Sequence, residues 1–166
     1  MKKVLISIIL SVGLISAVQA GDMAAGKTKA ATCGACHGAD GNSLAPNFPK
    51  IAGQGERYLV KQITEIKNGD RQVPEMMGFV MGLSETDIAD IAAFYASQTA
   101  GGGAADPALV EAGKSIFLGG NEATGVPACI ACHGADGKGM AAAGFPRVAG
   151  QHAAYTEKQL TDFYNA

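Results

Sequence analysis

Tryptophan is absent, and aromatic residues of all kinds make up only 6% of the chain. Basic residues are not in excess either: 13 Lys and Arg stand against 15 Asp and Glu, for a formal charge of −2. That balance argues against nucleic acid as a partner, which calls for a basic face. No alternating apolar and polar stretch of useful length is present, so β-strands are not expected. Cysteine is confined to four positions, and the one long apolar run, Val4 to Val18, is shorter than the roughly 20 residues that span a bilayer. Glycine is what the chain has in quantity, at 23 of 166 residues. Gly and Ala fill little core volume, and small domains bury proportionately little surface.

The apolar run reads as an export signal rather than an anchor. Lys2 and Lys3 precede it, and Val18-Gln19-Ala20 offers a cleavage site before Gly21. The expected mature chain therefore lies outside the cytoplasm, in the periplasm. Loss of Lys2 and Lys3 with the signal changes the formal charge from −2 to −4.

The rest of the chain is two copies of one unit. Cys33-Gly34-Ala35-Cys36-His37-Gly38-Ala39-Asp40-Gly41 recurs as Cys129-Ile130-Ala131-Cys132-His133-Gly134-Ala135-Asp136-Gly137, at an offset of 96. Phe48-Pro49-Lys50-Ile51-Ala52-Gly53-Gln54 recurs as Phe145-Pro146-Arg147-Val148-Ala149-Gly150-Gln151, at an offset of 97. Tyr58 then matches Tyr155, Lys61-Gln62 matches Lys158-Gln159, and Ala25-Gly26-Lys27 matches Ala112-Gly113-Lys114. The organisation expected is a signal over 1–20, a first domain over 21–100, a Gly-rich linker over 101–107 and a second domain over 108–166. The first copy runs on beyond Gly69 to about Thr99, whereas Ala166 aligns with Gly69. The second domain is thus expected to lack about 30 C-terminal residues that the repeat calls for.

All elements read as helices. Met23 to Thr32 is Ala- and Lys-rich; Glu56 to Lys67 carries Tyr58, Leu59, Ile63 and Ile66 at helical spacing and ends at Asn68-Gly69. Ser84-Glu85-Thr86-Asp87 has the capping-box pattern, with Ile88, Ile91, Ala92 and Tyr95 following on one face.

C-x-x-C-H is the attachment signature of c-type haem. Two intervening residues let both sulfurs reach the edge of the ring, and the next residue, His, falls beneath the iron. Alternatives fit less well. A thioredoxin-like pair belongs near a βαβ pattern, and a four-cysteine zinc site would have to close across 92 residues between Cys36 and Cys129. A disulfide within C-x-x-C closes too small a loop to stabilise much. Two covalent haems are expected, on Cys33, Cys36 and His37 and on Cys129, Cys132 and His133, and each would supply the core volume that the residues lack. An electron carrier fills both axial positions of the iron, and Met as the second ligand raises the potential. Met76, Met77 and Met81 are available in the loop after the second long helix; the residues alone do not choose between Met76 and Met77.

These motifs resemble the di-haem cytochrome c₄ family, two fused class I cytochrome c domains. The likeness is carried by Cys33 to His37 with Asp40-Gly41-Asn42, by Ala45-Pro46-Asn47-Phe48-Pro49-Lys50-Ile51-Ala52-Gly53-Gln54, and by Leu83-Ser84 with Asp87 to Tyr95. It implies an all-α fold of two tandem domains, the second incomplete. It also implies Met76 as the axial ligand, with Gly78 two residues on, and the Pro46 carbonyl as acceptor for the far nitrogen of His37. Gly26 and Tyr95 resemble the small-against-aromatic crossing of the first and last helices. The second domain departs from this pattern: Ala143 stands for Pro46, and Met140 aligns with Leu44. The expected Met would fall near position 173, and His152, aligned with Gly55, reads as a surface residue rather than a ligand.

The resemblance implies a periplasmic carrier of single electrons, without catalysis of its own, between a quinol-oxidising complex and a terminal oxidase. The second reading is a cytochrome subunit of a dehydrogenase such as a flavocytochrome. A di-haem peroxidase, which needs an open iron, is a third. Partners are redox proteins, met through transient, salt-sensitive contacts, with the membrane touched only through them.

Overall fold

The computed structural model describes residues 21–165. The export signal read in residues 1–20, and the ligand expected near position 173, lie outside them. Among the described residues every regular element is helical, apart from two isolated bridges, Asn121 with Val126 and Met140 with Phe145.

Helix α1 spans Met23–Lys29, and Asp22 caps it by accepting from the amides of Ala24 (2.8 Å) and Ala25 (3.1 Å). It ends earlier than the sequence pattern indicates. Beyond Lys29 the bonding tightens to Ala31 N–Thr28 O, which turns the chain into the single-turn helix α2, Gly34–His37. Helix α3, Glu56–Asn68, stops where expected, at Gly69 with φ +83°. The segment from Pro74 is a helix, α4, Pro74–Val80, not the expected loop: Pro74 occupies the first turn, where its missing N–H is no loss. Helix α5, Glu85–Ala96, carries the capping box in full. Asp87 N donates to Ser84 Oγ (3.1 Å) and Ser84 N to Asp87 Oδ2 (2.8 Å).

Helices α1 and α5 cross closely, and α3 packs beside α5. The small residue at the crossing is Gly26, as expected, but it meets the backbone of Asp90 and the Cβ of Phe94 rather than Tyr95. A Cβ there would lie 1.9 Å from Asp90 O and 2.9 Å from Phe94 Cβ. Tyr95 turns inward instead, against Gly41, and joins Ala30, Leu59, Ile91, Ala92 and Phe94 in the core. Lys29 ties the same crossing by pairing with Asp87 (2.5 Å) and Asp90 (2.8 Å).

The second half repeats the first three helices as α6 (Val110–Gly119), α7 (Ile130–His133) and α8 (Ala153–Tyr164). No described residue there corresponds to α4 or α5, and among the described residues no hydrophobic side chain after Tyr95 is buried. Ile66 and Phe163 hold equivalent register, yet they are 2% and 73% exposed.

The two halves meet through a reciprocal clamp. The Gln54 amide accepts from Arg147 N (2.7 Å) and donates to Arg147 O (3.0 Å). Gln151, its repeat equivalent, accepts from Lys50 N (2.8 Å) and donates to Lys50 O (2.9 Å). Arg71 adds bonds to Tyr155 and Gln159. The Gly-rich linker is pinned across this seam: Gly101 N donates to Asn42 Oδ1 (2.6 Å) and Lys50 Nζ to Gly102 O (2.6 Å).

His152, expected as a surface residue, is half-buried in the seam. Its Nε2 lies 3.0 Å from Ser43 Oγ and 3.1 Å from Ser43 O. A carbonyl only accepts, so Nε2 carries the proton.

Candidate haem sites

Helical spacing assembles each site. Cys33, Cys36 and His37 stand at i, i+3 and i+4 around α2, where side chains share one face. Cys129, Cys132 and His133 do the same around α7. Each turn ends at a glycine with positive φ, Gly38 at +81° and Gly134 at +76°, so the chain leaves sharply just after the histidine. All four thiols are unpaired and half-buried. Burial pushes the Cys33 thiol above its ordinary value, unlike the lowered thiol of a redox C-x-x-C. The four cysteines do not converge: no three of the described His, Cys, Asp or Glu side chains form a metal-holding group.

The histidines are oriented alike. His37 Nδ1 lies 2.9 Å from Pro49 O, and His133 Nδ1 lies 2.8 Å from Pro146 O. A carbonyl accepts only, so each ring donates from Nδ1 and keeps the Nε2 lone pair for a metal. Burial also pulls His37 below the ordinary imidazole range, against the opposing pull of the Pro49 bond, and so favours its neutral form. The donor sets therefore suit a haem held by two thioethers with imidazole beneath the iron. When bound, such a group stores one electron with little change in geometry.

The acceptor differs from the expected Pro46. Only Pro49 brings its carbonyl under the ring, while the Ala45 carbonyl beside Pro46 receives Phe48 N. The second domain needs no separate geometry at Ala143, because Pro146 is the repeat equivalent of Pro49. The signal was present in the sequence: Phe-Pro occurs in both copies and Pro46 in one. Ser43, 1% exposed, was not singled out; its hydroxyl donates to Phe48 O (2.5 Å), which steadies the turn that leads to Pro49.

Met76 and Met77 are both half-buried on α4, which packs on α3; Met81 is exposed. In the second half, Met140 is exposed and bridged to Phe145, away from any ligand role that the repeat assigns.

Comparison with known proteins agrees with this construction. A family model described as cytochrome c matches residues 23–99 and again 110–166. The chain is 60% identical over 164 residues to cytochrome c4 of Pseudomonas aeruginosa, covering 98% of this chain and 82% of that one. It superposes on the crystal structure of reduced recombinant cytochrome c4 from Pseudomonas stutzeri with a TM-score of 0.85 at 55% identity, over 88% of this chain and 82% of that one. A more distant relative, 36% identical over 82% of this chain and 64% of its own length, is the thiosulfate dehydrogenase electron acceptor of Thiomonas intermedia. The chain belongs to the cytochrome c4 family, two-domain electron carriers with two covalently held c-type haems.

Proposed function

We propose that this chain works in the periplasm, after removal of residues 1–20, and relays single electrons from a quinol-oxidising complex to a terminal oxidase. The observation that carries the reading is the paired construction: two i, i+3, i+4 Cys-Cys-His faces, each with Nδ1 tied down, in domains locked to one another. Cys33 and Cys36 hold the first haem and Cys129 and Cys132 the second, with His37 and His133 as axial ligands. Pro49 and Pro146 fix the imidazole planes, which keeps the ligand geometry constant as charge comes and goes. Met76 closes the first site from α4, with Met77 as the neighbour to be excluded. The domains are residues 21–100 and 108–166, joined by the linker over 101–107.

No described helix is long and apolar enough to cross a membrane. Contact with membrane complexes is then through docking, and the mildly acidic mature chain binds a basic or mixed surface transiently. Likeness to a thiosulfate dehydrogenase electron acceptor supports a second reading, a cytochrome subunit of a dehydrogenase.

Rapid mixing of the reduced holoprotein with candidate oxidases, across a range of salt, separates the two. Fast oxidation that slows as salt rises supports the shuttle. Stable co-purification with a dehydrogenase polypeptide, and slow oxidation by any oxidase, would replace it with the second. Met76→Ala is expected to remove the weak sulfur-to-iron band of the first haem; loss of that band in Met77→Ala instead would reassign the ligand. N-terminal sequencing of the exported protein is expected to begin at Gly21.

A further inference from the structure

The carbonyl that holds each histidine belongs to a peptide unit whose N–H faces the opposite domain. Pro49 C=O accepts from His37 Nδ1, and the N–H of that same unit, Lys50 N, donates to Gln151 Oε1. In the mirror arrangement Pro146 C=O accepts from His133 Nδ1, and Arg147 N donates to Gln54 Oε1. The chain of atoms is continuous in both directions: imidazole, peptide, glutamine amide. From this juxtaposition we infer that Gln54 and Gln151 are positioning residues that act crosswise, each tuning the axial histidine of the other domain through the shared peptide.

A hydrogen bond at a peptide N–H shifts electron density toward its carbonyl, and linked bonds strengthen one another by about 10–30%. A more negative Pro49 or Pro146 carbonyl draws harder on the Nδ1 proton and makes the ring a stronger donor to iron. Such a ring favours the oxidised state, so each glutamine lowers the potential of the haem across the seam. The geometry is held for this. Gln54 is 6% exposed, and its oxygen also accepts from Gly55 N (3.0 Å). Gln151 does likewise with His152 N (3.1 Å). Each NH2 returns to the carbonyl of the clamped residue, so neither amide can flip without losing three bonds.

The inference rests on His37 and His133 as the iron ligands. Its test is a redox titration of the intact holoprotein followed by NMR, in which the shifted haem methyl signals report each haem separately. In Gln151→Leu the first haem is expected to shift upward, by about a twofold change in its reduced-to-oxidised ratio at fixed potential, with the second haem unmoved. Gln54→Leu is expected to do the converse. Gln→Glu at either position keeps an acceptor for the peptide N–H, so the crosswise haem returns to the wild-type value or below it. Should a Leu variant fail to fold, Gln→Met removes the same acceptor while keeping side-chain length. Equal shifts of both haems, a shift confined to the glutamine's own domain, or no shift would each overturn the relay. The ligand assignment fails separately: a His37→Ala protein whose first haem keeps an imidazole spectrum would overturn that reading and not the clamp.

Discussion

The two halves share their haem-binding turn and their histidine acceptor, yet differ in nearly everything that surrounds them. In the first half α5 lies across α1 and α3, and its Ile91 and Tyr95 are buried together with Leu59 and Ile66 of α3. In the second half, as described, α6 and α8 have no such cover, and Ile116, Leu118, Leu160 and Phe163 stand exposed. The site geometry survives all the same: the His133–Pro146 distance is 2.8 Å against 2.9 Å for His37–Pro49. Short-range backbone chemistry therefore builds the ligand turn, and packing of later helices stabilises it without shaping it.

Paired substitutions break or sharpen this contrast, read by denaturant unfolding of the intact holoprotein. Ile66→Ala empties a filled core position and is expected to cost about 2–5 kcal/mol. The equivalent Phe163→Ala is expected to cost under about 0.5 kcal/mol, as surface changes do. Equal costs would show that α8 is covered in solution. Gly26→Ala comes next, at about 1–3 kcal/mol, because its Cβ would strike Asp90 O at 1.9 Å. Gly113, its equivalent, has nothing within 4 Å, and Gly113→Ala is expected to gain up to about 1 kcal/mol of helix propensity. Ser84→Ala removes the capping box of α5, for about 1 kcal/mol.

The smallest effect is confined to acid. Lys29 holds the Asp90 and Asp87 carboxyls below their ordinary value of 3.8. Their contribution is fully present above that value and is lost as pH falls through the depressed values. The same pairs raise Lys29 above 10.5, so its share is lost only as pH rises beyond that. Midpoints measured from pH 5 down to pH 2 are expected to fall less in Asp90→Asn than in the parent. An unchanged acid slope would show the crossing to be held by packing alone.

Much of this architecture was legible because it is local. Ser84 with Asp87 announced the start of α5, Gly69 the end of α3, and the Cys-Cys-His spacing a shared face, each decided within one or two helical turns. The early end of α1 and the helix at Pro74 were read less well, since Ala-rich and Met-rich stretches tolerate either state until neighbours choose. The resemblance points to Pro46 where the structure has Pro49 for the same kind of reason: which carbonyl lies under a ring depends on how a loop closes over it. His152 looked like a surface residue because its partner, Ser43, is 109 positions away.

The sequence alone determined the two C-x-x-C-H motifs, and with them two covalent haems, and the helical class, because attachment motifs and helix signals need only a few neighbouring residues. The tertiary structure alone decided the histidine acceptors and the crossed pairing of Gln54 with Arg147 and Gln151 with Lys50. Those contacts depend on loops closing and domains meeting, and no spacing along the chain records where two distant peptides will face one another.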